Sequence, residues 1–206
     1  MRANELVPIL AEKFGFPFEA AFRIDRSLAE AGMRAKGKGR SLPEMGRREA
    51  LIFLIACMVT DKITKAADEV LPWLSARGIL NPEPDLSVER EWEIADEENK
   101  TYQYYLAMEA VLSPYKNQDG AVTLIDYLLA FCELIEEGQI GTEDVQLTID
   151  FTDLSATVDS EFVDGETFSV IDPTADTQME RKESATGIKR KCTVGGTTLN
   201  EIIIRT

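Results

Sequence analysis

Residues 18–40 read FEAAFRIDRSLAEAGMRAKGKGR, and this stretch sets the interpretation of the first part of the chain. Its apolar residues recur at helical spacing and form one stripe of a helix: Ala21, Ile24, Leu28 and Ala31. Gly32 follows the last of them, and a glycine in this position is a typical helix end. The residues after Gly32 are basic and interrupted by glycines. The stretch therefore predicts a helix followed by an extended basic loop.

A second helix is predicted immediately before this one. Asn4 is a candidate cap, and apolar side chains follow it at helical spacing up to Gly15: Leu6, Val7, Leu10 and Phe14. Phe16-Pro17 predicts a tight turn between the two helices. Two short helices joined by about three residues are typical of a helix-turn-helix unit.

The run from Leu28 to Met33, LAEAGM, with the basic glycine-rich residues up to Arg40, resembles the end of a recognition helix and the start of the wing in winged helix-turn-helix regulators. The sequence departs from that pattern at residues 41–44, SLPE, which predict a loop into another helix instead of a second wing strand. The first 80 or so residues also resemble uncharacterised prophage-encoded proteins, through the same run and through Arg47-Arg48-Glu49-Ala50-Leu51. These resemblances imply a DNA-binding head and a mobile-element setting.

The basic loop supplies the candidate contacts with a DNA backbone: Arg34, Lys36, Lys38 and Arg40. Glycines allow close approach, and each cation that neutralises a phosphate releases a condensed counterion. On the preceding helix, Arg23 and Arg26 lie opposite the apolar stripe, where an arginine would reach base edges in a major groove. The same positions have an alternative interpretation. Glu19 and Glu30 lie four residues from these arginines and would pair with them on a solvated face.

The helical head continues to about residue 80. Residues 50–59, ALIFLIACMV, are apolar on every side and predict a helix buried on several faces. A further helix is predicted from about Lys62 to Ala76, capped by Thr60 or Asp61. The turn-forming residues 81–85, NPEPD, then form the joint between two predicted domains, 1–80 and 86–206.

The second domain changes its hydrophobic period. Thr123 caps a helix that runs from Leu124 to about Glu137. Beyond Gly141, apolar and polar residues alternate from Val145 to Phe151, and strand-like pieces continue around a turn predicted at Asp164-Gly165. The sequence therefore predicts an α+β fold: a helical, helix-turn-helix-like domain followed by an acidic α+β domain with a small antiparallel sheet, and most of the strands after Gly141.

Charge is distributed unevenly along the 206 residues, whose net charge is -15. Residues 1–80 carry +3, residues 81–176 carry -21 and residues 177–206 carry +3. The chain has no histidine, which removes Ser-His-Asp and Cys-His catalysis and imidazole metal sites. Carboxylate runs such as Asp96-Glu97-Glu98 lack a calcium-loop motif and predict a solvated face. We expect no enzyme activity, no cofactor and no bound metal.

The location of the protein follows from its cysteines and its apolar runs. Cys57, Cys132 and Cys192 are odd in number and widely spaced, which predicts reduced thiols. The longest apolar run, residues 50–59, is about half of a membrane span, and the first residues lack the features of a secretion signal. A cytoplasmic protein without a membrane partner is expected.

Two functions fit these observations. The first is a DNA-binding regulatory protein of phage or mobile-element type, in which the head binds double-stranded DNA and the body dimerises or recruits a protein partner. Apolar and tyrosine residues between Tyr102 and Leu134 favour a homodimer through the body. The alternative is an acidic protein-interaction or DNA-mimic protein that inhibits a host nucleic-acid-binding system through residues 81–176.

Overall fold

The computed structural model describes residues 2–37, 44–79, 106–139, 145–151, 154–160, 163–169 and 191–195, together with Thr198 and Ile202. The joint predicted at residues 81–85 and the tyrosines Tyr102, Tyr104 and Tyr105 lie outside these residues.

The head consists of four helices. They are α1 (Ala3–Phe14), α2 (Phe18–Glu30), α3 (Arg47–Val59) and α4 (Ala66–Leu74), the last preceded by a 3₁₀ turn at Ile63–Lys65. Three residues join α1 to α2, as the sequence predicts. Gly15 ends α1 in the left-handed conformation with φ 65°, which glycine adopts without steric cost. The predicted cap at Asn4 is wrong by two positions, because the N-cap is Arg2, whose backbone N–H donates to Glu5 Oε2 at 2.8 Å.

The α3 helix is the centre of the molecule. Every residue from Ala50 to Val59 is buried, as expected for a helix without a polar face. It contacts α1, α2 and α4 on the side of the head, and residues 124–136 and 191–195 on the side of the body.

The body contributes two further helices. Residues 106–112 form α5, and Leu124–Glu136 form α6. A 3₁₀ turn at Ser113–Tyr115 follows α5. The predicted cap of α6 is confirmed, since Asp126 donates its backbone N–H to Thr123 Oγ1 at 3.2 Å.

Six antiparallel strands form one sheet in the order β2-β1-β5-β4-β3-β6. The strands are β1 (Arg77–Ile79), β2 (Ala121–Thr123), β3 (Gln146–Asp150), β4 (Ser155–Ser160), β5 (Val163–Ser169) and β6 (Lys191–Gly195). Alternate residues of β3 and β4, including Leu147, Ile149, Ala156 and Val158, are buried. A half-buried sheet of this kind is what the alternating sequence predicts.

Aromatic contacts hold the helices on the buried face of the sheet. Trp73 of α4 meets Phe151 edge-on, with ring centroids 5.8 Å apart. The ring centroids of Tyr127 of α6 and Phe168 of β5 are 5.0 Å apart. Buried apolar residues from head and body belong to one contiguous core, which includes Leu28, Phe53, Phe131 and Ile149.

The α+β class is confirmed, with most of the described strand residues after Gly141. Two details differ from the prediction. The short strands β1 and β2 lie before Gly141, and β1 comes from the head. Asp164 and Gly165 lie inside β5 instead of at a turn, because Ser160 pairs with Val163 and the chain reverses before them. The division into domains 1–80 and 86–206 stays a prediction.

Candidate nucleic-acid interface

The second helix of the head presents one face to solvent. Its inner face is buried against the core through Ala21, Ile24, Asp25, Leu28 and Ala29. The opposite face carries the exposed residues Phe18, Glu19, Phe22, Arg23 and Arg26. The structure thus keeps both candidate base-reading arginines on the outward side of α2.

These two arginines differ in their surroundings. Arg26 Nε donates to Glu30 Oε1 at 2.8 Å, and both side chains remain largely exposed. Arg23 has no ion-pair partner within the described part of the chain, although Glu19 lies one turn away on the same helix. The self-paired arrangement therefore holds for Arg26 and not for Arg23.

Arg34, a candidate phosphate contact, has a buried partner instead. Its guanidinium forms an ion pair with the carboxylate of Asp25, and the two side chains are 10% and 2% exposed. Arg34 also donates to the carbonyl oxygen of Ala35 at 2.7 Å. Because the guanidinium already binds Asp25 inside the protein, we infer that Arg34 fixes the start of the basic loop to α2.

The environment of Asp25 is unusual for a carboxylate. Burial raises the pKa of Asp25 above its ordinary value of 3.8, while the hydrogen bond and the charge of Arg34 act in the opposite direction. Asp25 Oδ1 and Arg34 Nε have no hydrogen-bond partner among the described residues. The ion pair is therefore costly to bury and incompletely satisfied.

The ends of the basic loop are held together by one carboxylate. Glu49, in the first turn of α3, accepts the backbone N–H of Ala35 at 2.8 Å and that of Gly46 at 2.9 Å. Lys36, just inside the loop, is exposed and has no described ion-pair partner. Lys38 and Arg40 lie outside the described residues. Glu49 thus connects Ala35 to Gly46 at the start of α3.

Two further cations lie beside α2, and the sequence interpretation did not single them out. Lys62 precedes the 3₁₀ turn and Lys65 is its last residue, and this turn packs against α2. Directly after this turn, Ala67 in the first turn of α4 donates its backbone N–H to Ser27 Oγ of α2 at 3.4 Å. The sequence predicted a helix from about Lys62 to Ala76 with a kink or break at Pro72, whereas the structure has a 3₁₀ turn at Ile63–Lys65 and keeps Pro72 inside α4, so the prediction gave no reason to place these lysines next to α2.

Arg47 and Arg48, the next cations in the sequence after the basic loop, form ion pairs with the body. Arg47 pairs with Glu136 at 3.1 Å, and Arg48 pairs with Asp126 at 2.9 Å. Both carboxylates belong to α6. These ion pairs connect the first turn of α3 with the body, and they leave these arginines out of the free basic surface.

Two exposed phenylalanines complete the outward face of α2. Phe18 is 50% exposed and Phe22 is 49% exposed. Their rings are stacked, with centroids 6.3 Å apart and an angle of 19° between the planes. The sequence signal for this pair was its spacing of four residues outside the apolar stripe.

The cysteines and carboxylates show no reactive arrangement in the described part of the chain. All three cysteines are free, and burial raises the pKa of the Cys132 thiol to about 12. Across the residues that the structure describes, no three Cys, Asp or Glu side chains are grouped so that they would hold a metal ion.

None of the described helices combines the length and the apolar character needed to span a membrane. In comparisons with known proteins, the chain matches no protein-family model, no curated protein and no solved structure.

Proposed function

We propose that this chain is a DNA-binding regulatory protein of phage or mobile-element type, which acts on transcription through double-stranded DNA. The observation that carries the proposal is the set of exposed cations around α2 that have no described ion-pair partner: Arg23, Lys36, Lys62 and Lys65. They come from three segments, which are α2 itself, the start of the basic loop and the 3₁₀ turn that packs against α2. A protein that neutralises phosphates needs such uncommitted cations.

In the proposed complex, α2 enters the major groove and its outward arginines reach base edges. Arg23 is free to do so, and Arg26 has to leave Glu30 first. The basic loop lies on the phosphate backbone through Lys36, together with Lys38 and Arg40. We leave Arg34 out of the phosphate contacts, because its guanidinium is bound to Asp25.

We further propose that the body dimerises the protein or recruits a protein partner, since specific DNA sites are usually read as two half-sites. Many of the apolar residues that suggested this interface, among them Tyr127, Phe131 and Leu134, are buried in the core. Leu106 and Tyr115 stay exposed, at 47% and 49%. These two residues are the described candidates for a body interface.

The proposed function places the protein in the cytoplasm and requires no enzyme activity. Free thiols at Cys57, Cys132 and Cys192 are compatible with a reducing compartment.

The test is a DNA-binding titration of the full chain at several salt concentrations. Replacing Lys36 and Lys38 by Ala should weaken binding about equally for all sequences and flatten the log-log salt slope by roughly one to two units. Lys116→Ala is the matched control, because it removes a cation of the body that is already paired with Glu109. We expect this control to bind like the wild type.

A full chain without measurable affinity for duplex DNA at low salt would contradict the proposal. The acidic protein-interaction alternative would then be favoured. A double variant with unchanged affinity and unchanged salt slope would remove the loop from the interface.

A further inference from the structure

We draw no further inference here: the strongest candidate, the exposed and stacked Phe18/Phe22 pair on the outward face of α2, lies among side chains of both charge signs, and nothing in the structure shows what covers it.

Discussion

The guanidinium of Arg34 lies against the carboxylate of Asp25, and both side chains are almost completely buried. Asp25 comes from the inner face of α2, whereas Arg34 comes from the segment that follows the helix. The ion pair therefore fastens the start of the basic loop to the core beneath α2. It explains why Arg34 is bound inside the protein, whereas Lys36, two residues later, is exposed.

Replacing Arg34 by Met should destabilise the protein by about 3 to 5 kcal/mol at neutral pH, because the Asp25 carboxylate is left buried without its partner. The pKa of Asp25 is already raised by burial, and loss of Arg34 raises it further. When the pKa of a carboxyl is higher in the folded state than in the unfolded state, ionisation of that group destabilises the protein. The loss of stability develops as the pH rises from the unfolded-state pKa to the folded-state pKa. The deficit of the variant should thus be smallest near and below the ordinary pKa of 3.8 and should grow above it.

Urea titrations of wild type and variant at a series of pH values measure this difference. Arg26→Met is the control, because Arg26 also pairs with a carboxylate but does so in solvent. It should cost less than about 1 kcal/mol at every pH. A deficit of Arg34→Met that does not change with pH would show that Asp25 is not the group left uncompensated.

Glu49→Ala should loosen both ends of the basic loop. The carboxylate accepts two backbone N–H groups, those of Ala35 and Gly46, and hydrogen bonds to a charged acceptor are stronger than neutral ones. Hydrogen exchange of these two amides should become faster in the variant. We also expect weaker DNA binding, since Lys36, the residue after Ala35, would have to be ordered on binding.

Glu5→Ala provides the comparison, because Glu5 likewise accepts a backbone N–H, that of Arg2, outside the loop. It should leave exchange at Ala35 and Gly46 unchanged. Unaltered exchange of both amides in Glu49→Ala would contradict the proposed closure of the loop.

The local elements were predictable because their signals are local. Helix spacing, Gly15 and the Thr123 cap identify α1 and α6, and the alternation after Val145 identifies β3. The strands β1 and β2 were missed because three residues are too short to show a period. Their pairing depends on contacts between residues 77–79 and 121–123, which are distant in the sequence.

The candidate site was predictable only in part. The sequence located α2 and its basic loop, but it did not distinguish Arg34 from Lys36, since the difference arises from Asp25 on the buried face. It also did not predict that Arg47 and Arg48 pair with α6, which lies about 80 residues later. Charge patterns give the sign of a segment, whereas the fold determines which charges remain free.

The ion pairs between α3 and α6 should contribute modestly to stability. Arg48 and Asp126 are 2.9 Å apart, and the arginine is more than half exposed. A double-mutant cycle with Arg48→Ala and Asp126→Ala should give a coupling energy of about 0.2 to 1 kcal/mol. Asp126→Ala alone should cost more than Arg48→Ala alone, because Asp126 Oδ2 also accepts the Thr123 hydroxyl at 2.6 Å. A coupling energy above about 2 kcal/mol would contradict the interpretation of this pair as a solvated contact.

Removing Glu30 should strengthen DNA binding. Arg26 Nε donates to Glu30 Oε1 at 2.8 Å. Glu30→Ala therefore frees a candidate base-reading arginine, and it also removes a negative charge from the C-terminal end of α2. The second effect is shared by the removal of any exposed carboxylate of the head, and Glu12→Ala on α1 serves to measure it. If Arg26 reaches a base edge, Glu30→Ala should raise affinity for the preferred sequence more than for random duplexes. Adding Arg26→Ala should abolish this extra gain and cost roughly 1 to 3 kcal/mol of binding free energy for the preferred sequence. Equal gains in affinity for Glu30→Ala and Glu12→Ala on every sequence would mean that Arg26 contributes only to the overall electrostatic attraction. Base reading by α2 would then depend on Arg23.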